Sequence, residues 1–224
     1  MKVRDINSIV EALREGRVNE ILYSTTTQKI REVIVMARKK GVPVYRARIK
    51  EKIVADISPI RFASFERILE RGLNDGSFIL FLDNVEDQRN IGACIRTAEF
   101  FGAAGVVIPK RRGGMIEEGA LRASAGAIFH IPIARIDNFA SALKKLRKYG
   151  FTVIAADPDG EDIQMCNFST PSAIVVGGED RGISTSVRKQ SDIIVKIPGS
   201  GKTSSLNLSV AAGILIYELS RQKY

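Results

Sequence analysis

Residues Ile197 to Leu219 read IPGSGKTSSLNLSVAAGILIYEL, and no other stretch says as much about the fold. An apolar strand end is followed by a loop rich in glycine and serine, and then by an apolar segment long enough for a buried helix. In α/β proteins, a loop that joins a strand to a helix in this way is a common place for a ligand. The stretch therefore predicts an α/β fold with a binding site near this loop.

The loop also contains the Gly-Lys-Thr of a phosphate-binding P-loop, at residues 201–203. A P-loop needs a further glycine five positions before Gly201, and Lys196 stands there. A dinucleotide fingerprint fails as well, because Ser204 replaces its third glycine. We therefore reject both nucleotide-binding interpretations.

Composition limits the class of protein. The 224 residues are 45% hydrophobic, which is enough for one large or two small folded domains. No apolar run approaches the length of a membrane span, and the charged N-terminal segment lacks the apolar block of a signal peptide. With two cysteines, Cys94 and Cys166, and one histidine, His130, we expect no metal site and a cytoplasmic location.

The charge of the chain favours a polyanionic partner. The net charge is +9 and the pI is near 9.7, and nucleic acid is the commonest partner of so basic a protein. Residues 1–76 carry 16 basic against 10 acidic side chains, whereas residues 77–224 carry 18 against 15. A surface that is merely soluble and rich in lysine and arginine is the plain alternative.

The sequence pattern changes near residues 58–76. Residues 1–57 are predicted to form a small α/β domain, and residues 58–76 a linker with one helix over 62–72. In the first part, helices are predicted over 7–15 and 27–40, strands over 18–23 and 43–46, and basic loops over 38–40 and 46–52.

Residues 77–224 alternate between apolar strands and amphipathic helices. Because the strands are almost continuously apolar, we predict a parallel sheet that is covered by helices on both faces. Strands are predicted over 78–82, 105–108, 129–133, 151–156, 173–176 and 193–197, helices over 91–101, 116–124, 138–149, 184–190 and 206–219, and a basic, glycine-rich loop over 110–114.

Polar, glycine-bearing segments follow three of these strands, and ligands bind at the carboxyl ends of parallel strands. The segments are residues 83–90, which lead into a helix bearing Arg96, residues 177–182 and residues 197–207. They contain no Ser-His-Asp or Cys-His pair, which argues against acyl transfer and fits a site that works by positioning its substrate. The candidate side chains are those of Asn90, Arg96, Glu179, Ser205 and Asn207.

The same three segments, spread over about 150 residues, carry a family resemblance. Residues 90–98 (NIGACIRTA), residues 175–183 (VVGGEDRGI) and residues 197–211, with their SLNLSVA, occur in this order. They resemble the three motifs of the SpoU/TrmH branch of the SPOUT methyltransferases, which methylate ribose 2′-hydroxyls of RNA with S-adenosylmethionine. Residues 1–57 resemble the small ribosomal-protein-like RNA-binding domain of the rRNA-modifying members, which the tRNA-specific members usually lack.

The resemblance implies a fold, a cofactor and an assembly. The fold would be an α/β domain over residues 77–224 whose C-terminal segment threads a loop to make a trefoil knot, an exception to the rule against knots. The protein would act as a homodimer, with part of the site crossing the interface. S-adenosylmethionine would lie in the knot, against Gly177, Gly178, Ile197, Ser205 and Leu206.

The resemblance also implies a role for Arg96. Members of the family are proposed to use the matching arginine as the base that removes the ribose proton. Since the pKa of a guanidinium exceeds about 12, a phosphate clamp that holds the ribose in place is an equal alternative. Asn90, Ser205 and Asn207 would orient Arg96 and the RNA, and Glu179 would bond a neighbour or pair with Arg96. Singly, such residues are more often surface charges or helix caps.

Two positions depart from the family. Gly199 replaces the methionine that usually follows the proline of the third motif, and Lys50-Glu51-Lys52 replaces the His-Gln-Gly that many rRNA-modifying relatives carry. The leading hypothesis is a ribose 2′-O-methyltransferase of 23S-type rRNA, with guanosine favoured. A tRNA ribose 2′-O-methyltransferase and a non-catalytic RNA-binding or assembly protein remain the alternatives.

Overall fold

The computed structural model describes residues 1–110, 116–203 and 205–223, and its strands form two sheets. The smaller sheet has the strand order β1-β4-β2-β3, in which β2 and β3 are parallel and the other neighbours are antiparallel. The helices α1 and α2 pack with it. Its elements are β1 (Lys2–Val3), α1 (Ile6–Arg14), β2 (Val18–Tyr23), α2 (Gln28–Lys39), β3 (Val44–Arg46) and β4 (Ile53–Ile57).

The larger sheet has six strands in the order β10-β8-β9-β5-β6-β7, and all of its neighbours are parallel. All of its strands therefore end at one edge, as the sequence predicted. The elements are α3 (Phe65–Asp75), β5 (Phe78–Asp83), α4 (Gln88–Phe100), β6 (Gly105–Pro109), α5 (Glu118–Ser124), β7 (Ile133–Ile136), α6 (Phe139–Lys148), β8 (Thr152–Asp162), β9 (Ser172–Gly177), α7 (Thr185–Arg188), β10 (Ile193–Lys196) and α8 (Leu208–Lys223).

Both faces of this sheet are buried, which explains why its strands are apolar throughout. Along β5, Phe78, Leu80 and Leu82 belong to one apolar core together with α4, α5 and α8. Ile79 and Phe81 belong to a second core with α3, α6 and α7. Alternate residues of a strand point to opposite faces, so a strand covered on both sides must be apolar at every position. The predicted parallel sheet between two helical layers is confirmed.

Local signals set several helix ends. The Thr27 side chain accepts a hydrogen bond from the Ile30 amide and caps α2, and Gly41 follows that helix with φ +71°. Asn138 caps α6 in the same way. The helix predicted over 62–72 instead begins after Ser64, whose hydroxyl caps α3, because the capping side chain decides the first turn.

Some sequence-based boundaries were wrong. The strand predicted over 129–133 is a short 3₁₀ turn over 127–129 followed by β7, so His130 lies on no strand and its ring instead contacts Glu11 on the surface. Strand β4 was not predicted at all. Strand β8 continues beyond the predicted end at 156, because its polar half still pairs with β10. Most of the predicted basic loop over 110–114 lies outside the described residues.

The two sheets belong to units that pack together. The Ser8 hydroxyl donates a hydrogen bond to the Leu121 carbonyl oxygen of α5, and Arg4 pairs with Glu118 at the start of the same helix. Both units contribute to one continuous apolar core. The predicted linker helix α3 covers a face of the large sheet through Phe65 and Ile68, so it is a structural layer of that unit. No described helix has the length and apolar character needed to cross a membrane.

Candidate active site

Buried Asp83, the last residue of β5, joins the first two strand ends that the sequence singled out. Its carboxylate accepts a 2.7 Å hydrogen bond from the Ser184 amide, and its carbonyl oxygen accepts a 2.8 Å bond from the Gly178 amide. Asn84, which follows, has a positive φ of 56°. Sequence reasoning gave Asp83 no role, although an acidic residue at the end of an apolar strand could have drawn attention to it.

The second segment makes a turn so tight that only glycine fits two of its positions. A Cβ atom on Gly177 would lie 2.1 Å from the carbonyl carbon of Gly182, and one on Gly178 would lie 2.2 Å from the carbonyl oxygen of Asn84. The Gly182 amide closes the turn with a 2.7 Å bond to the Gly178 carbonyl oxygen. These contacts hold the backbone in the shape that presents Glu179 to its neighbours.

Three of the predicted side chains meet in one hydrogen-bonded group, which we call the Asn-Glu-Asn cluster: Asn90, Glu179 and Asn207. The side-chain amides of Asn90 and Asn207 donate to the same carboxylate oxygen of Glu179, at 3.1 Å and 2.8 Å. The Asn207 amide nitrogen also lies 3.1 Å from the side-chain oxygen of Asn90. The cluster thus ties α4, the turn after β9 and the start of α8 together.

Asn207 also organises the start of the final helix. Its side-chain oxygen accepts bonds from the backbone amide and the hydroxyl of Ser209, at 3.0 Å and 2.6 Å. The Leu208 amide points to the Glu179 carboxylate at 3.4 Å. Amides at a helix N-terminus have no partner within the helix, so the Glu179 carboxylate supplies an acceptor at the start of α8. Ser209 was missed by the sequence analysis.

The remaining two candidates stand apart from the cluster. Arg96 is exposed on α4 and makes no hydrogen bond or ion pair with another residue that the structure describes. Glu179 bonds the neighbouring amides, as one prediction held, and does not pair with Arg96 within this chain. Ser205 is exposed and likewise has no such partner among the described residues. Among the described residues, the exposed Arg96 guanidinium is therefore left without a partner.

The predicted cofactor residues lie at one edge of the large sheet. Gly177 ends β9 and Ile197 follows the end of β10, and these strands flank β8 on either side. Leu206 adjoins Asn207 of the cluster and leaves 45% of its surface exposed, while Ile197 is half-buried. The exposed Leu206 side chain suits the apolar face of an adenine ring. These residues therefore fit S-adenosylmethionine, whose sulfonium would supply an activated methyl group.

The two thiols take no part in this site. Cys94 is buried in α4, and burial raises the pKa of its thiol to about 12. Burial also raises the pKa of the Cys166 thiol, with a smaller contribution from the charge of Glu161. In the part of the chain that the structure describes, no group of three or more His, Cys, Asp or Glu side chains could hold a metal ion.

Comparison with known proteins identifies the arrangement. The sequence pattern of the SpoU rRNA methylase family matches residues 77–217, the span of the large sheet, its strand-end loops and most of α8. The chain belongs to the SpoU/TrmH family of RNA methyltransferases. In this family member the three motifs are the three segments that the Asn-Glu-Asn cluster joins.

Relatives extend the match to the whole chain. An Archaeoglobus fulgidus protein, named as an uncharacterized tRNA/rRNA methyltransferase, is 64% identical over 225 residues and covers 100% of both chains. A Bacillus subtilis protein, assigned by name to the TrmH family of tRNA/rRNA methyltransferases, is 34% identical over 97% of this chain and 94% of its own length.

Solved structures of the family share the fold. The SpoU methyltransferase AviRb of Streptomyces viridochromogenes, in complex with AdoMet, superimposes with a TM-score of 0.80 and 25% identity, covering 100% of this chain and 90% of its own. An RNA 2′-O ribose methyltransferase gives a TM-score of 0.77 at 20% identity, covering 100% and 88%. A tRNA-modifying TrmH/SpoU enzyme of A. aeolicus gives 0.60 at 27% identity and covers 71% of this chain and 84% of its own.

Proposed function

We propose that this protein transfers the methyl group of S-adenosylmethionine to a ribose 2′-hydroxyl of 23S-type rRNA, with guanosine as the favoured nucleotide. The observation that carries the proposal is the Asn-Glu-Asn cluster, which joins the three family motifs into one surface beside Leu206. A family member in complex with AdoMet shares the fold over the whole chain, which supports this cofactor.

The small N-terminal unit favours rRNA over tRNA. The tRNA-modifying enzyme of A. aeolicus corresponds to 71% of this chain, whereas an rRNA methyltransferase of Sinorhizobium meliloti corresponds in fold to 100% of it. We assign RNA binding to residues 1–57, a connecting role to residues 58–76 and methyl transfer to residues 77–224. Because both the RNA and the cofactor are cytoplasmic in such a reaction, we place the protein in the cytoplasm.

The residues of the chain divide the work of the reaction. Gly177, Ile197 and Leu206 hold the cofactor. The tight turn that begins at Gly178 fixes the backbone at this edge of the sheet. The cluster fixes Asn90, whose second amide N–H remains to bond the ribose, while Asn207 holds Asn90 and Glu179 in place and Ser205 lies close by along the chain. Arg96 grips the neighbouring phosphate or takes the ribose proton; in either role it must come close to the 2′-hydroxyl.

We further propose that two copies of the chain form the working enzyme. The exposed side chains Val210, Ile214 and Tyr217 follow one another at helical spacing on α8, and Phe100 on the adjoining α4 leaves 79% of its surface exposed. Phe100 lies one turn beyond Arg96. A second copy seated on this apolar face would cover it and would bring its own cluster toward Arg96, which has no partner within the described residues of one chain.

The proposed reaction is tested by transfer of labelled methyl groups from S-adenosylmethionine to unmodified rRNA and tRNA in separate reactions. Ribose methylation blocks alkaline cleavage at the modified nucleotide, so mapping of alkali-resistant products identifies both the chemistry and the target. An alkali-resistant label in rRNA supports the proposal, and one in tRNA favours the tRNA enzyme. Cofactor binding without transfer to either RNA would point to another RNA, and absence of cofactor binding would favour a non-catalytic RNA-binding protein.

A further inference from the structure

Residues 46–52, from the last residue of β3 to the residue before β4, carry a basic side chain at every second position: Arg46, Arg48, Lys50 and Lys52. All four are exposed, and none makes a side-chain hydrogen bond or ion pair with another described residue. Elsewhere on the surface many basic side chains are neutralised by acids, as Lys145 is by Glu66 and Arg147 by Asp192. The segment therefore keeps an unbalanced positive charge.

The acidic residue within the segment does not offset this charge. Glu51 is bound by Arg4, whose Nε donates a 2.8 Å hydrogen bond to its carboxylate, and this bond lowers the pKa of Glu51. Arg4 pairs at the same time with Glu118 of α5. The carboxylate is thus occupied by a residue outside the segment, while the four cations remain available to a ligand.

The segment is fixed in place before any ligand arrives. The Ser24 hydroxyl and amide, at the end of β2, donate to the carbonyl oxygens of Glu51 and Lys52 at 2.7 Å and 3.1 Å. The Ala47 amide donates to the Tyr23 carbonyl oxygen at 2.9 Å. These bonds shape a concave surface of about 650 Å³, lined by Ser24, Arg46, Ala47, Arg48 and Ile49. A fixed surface loses little conformational entropy on binding.

We propose that residues 46–52 form a phosphate-binding surface that holds the RNA substrate by its backbone at the small sheet, apart from methyl transfer at the large one. The inference rests on the proposed function for the identity of the RNA, but the surface itself follows from charge and geometry. The planar guanidinium group of arginine can donate two parallel hydrogen bonds to phosphate oxygens, and both Arg46 and Arg48 line the concavity. Contacts of this kind position the nucleic acid without reading its sequence.

A neighbouring concavity on α2 is less suited to this role. It is lined by Gln28, Arg31, Val35, Met36, Lys39 and Lys40, and also by Glu32, which accepts a hydrogen bond from Gln28. Although three of these side chains are basic, the Glu32 carboxylate and the apolar side chains of Val35 and Met36 make this concavity a weaker site for phosphates. The same helix carries exposed basic residues, however, and so provides a matched control within the same unit.

The test compares two triple variants of the full chain. The first replaces Arg46, Arg48 and Lys50 by glutamine, and the second replaces the exposed Lys29, Arg38 and Lys39 of α2 by glutamine, so that each loses three positive charges. Filter binding of radiolabelled transcripts of unmodified rRNA and tRNA is measured over a series of salt concentrations. Circular dichroism establishes that both variants are folded, and calorimetry with S-adenosylmethionine reports on the methyl-transfer site.

We expect the first variant to lower the slope of log affinity against log salt by about 2, since each lost contact with single-stranded RNA removes about 0.7. The control should change that slope by much less, and cofactor binding should be unchanged in both. The proposal would be overturned if the two variants lost RNA affinity equally, or if the RNA affinity of the first variant were unchanged. Loss of binding to anionic vesicles of phosphatidylglycerol, with RNA binding intact, would also overturn it and reveal a membrane surface instead.

These outcomes are separable from those of the proposed function. If the first variant still transfers methyl groups and its salt slope is unchanged, the phosphate-binding surface is refuted and the proposed reaction stands. If RNA binding depends on residues 46–52 but the protein transfers no methyl group, the proposed reaction is refuted and the phosphate-binding surface is supported.

Discussion

The Glu179 carboxylate accepts a 2.8 Å hydrogen bond from the side-chain amide of Asn207 on the loop that precedes the final helix. This bond closes the gap between the turn after β9 and the start of α8. Asn90 donates to the same carboxylate oxygen, so one acidic group holds two amides in fixed positions. Glu179 is therefore the residue whose loss should disturb all three motifs at once.

Replacing Glu179 by alanine should lower the rate of methyl transfer roughly tenfold or more. Hydrogen bonds to a charged group contribute about 1.5–3 kcal/mol each, and the exposure of Glu179 places its bonds at the low end of that range. Single-turnover methyl transfer to rRNA and calorimetry with S-adenosylmethionine measure the effect. Asp180→Ala is the matched control, because Asp180 is also exposed and acidic but lies outside the cluster. Equal activity of the two variants would show that the cluster has no part in the reaction.

Arg96→Ala should lower methyl transfer by about a hundredfold or more, the value typical of a lost proton acceptor or substrate clamp, and should leave cofactor binding nearly unchanged. Activity and calorimetric titration are measured side by side, with Arg122→Ala, an exposed residue of α5, as the control. A variant that loses affinity for S-adenosylmethionine instead would contradict the role assigned to Arg96.

Glycine at position 92 should be required by the packing of α4 against α5. A Cβ atom there would lie 2.3 Å from the Ala120 carbonyl oxygen, so Gly92→Ala should destabilise the fold by about 1–3 kcal/mol through overpacking. Gly213→Ala on α8 should instead stabilise it by about 0.5–1 kcal/mol, because its Cβ atom would meet only Thr97 at 4.0 Å and alanine favours the helix. Urea unfolding distinguishes the two signs, and a stable Gly92→Ala variant would refute the packing argument.

The Cys94 thiol should resist alkylation by iodoacetamide at pH 8. The reactive form is the thiolate, and burial raises the pKa of Cys94 to about 12, so the native protein holds almost no thiolate below that pH. Reactivity should rise only as the pH nears the raised pKa or when denaturant exposes the residue. Peptide mapping by mass spectrometry measures this, and full labelling of native Cys94 would show that α4 opens readily.

Ile214→Arg should convert a dimer into a monomer. A charged side chain in the middle of the exposed apolar face of α8 would lose its water on association, at a cost that a modest interface cannot offset. Sedimentation velocity reports the change, with Lys144→Ala, an exposed residue of α6, as the control. If the unaltered protein sediments as a monomer at micromolar concentration, the proposed second copy does not form.

The helices and strands with strong local signals were predictable from sequence. Thr27 and Gly41 bound α2 because a capping hydroxyl and a glycine with positive φ act within a few residues. The apolar strands of the large sheet were recognisable because both faces are covered. Strand β4 was missed because it pairs with β1 and β2, which come from distant parts of the chain. The start of β7 was misplaced because the turn over 127–129 depends on contacts with α4.

The sequence by itself determined the family and the α/β class and singled out candidate site residues, because motif glycines and polar strand ends are local features. Tertiary structure alone decided how those residues associate. It placed Asn90, Glu179 and Asn207 within hydrogen-bond distance across 117 positions of the chain, and it left Arg96 exposed and unpaired among the described residues. Such contacts depend on the order of parallel strands, and strand order follows from packing over the whole sheet rather than from any single segment.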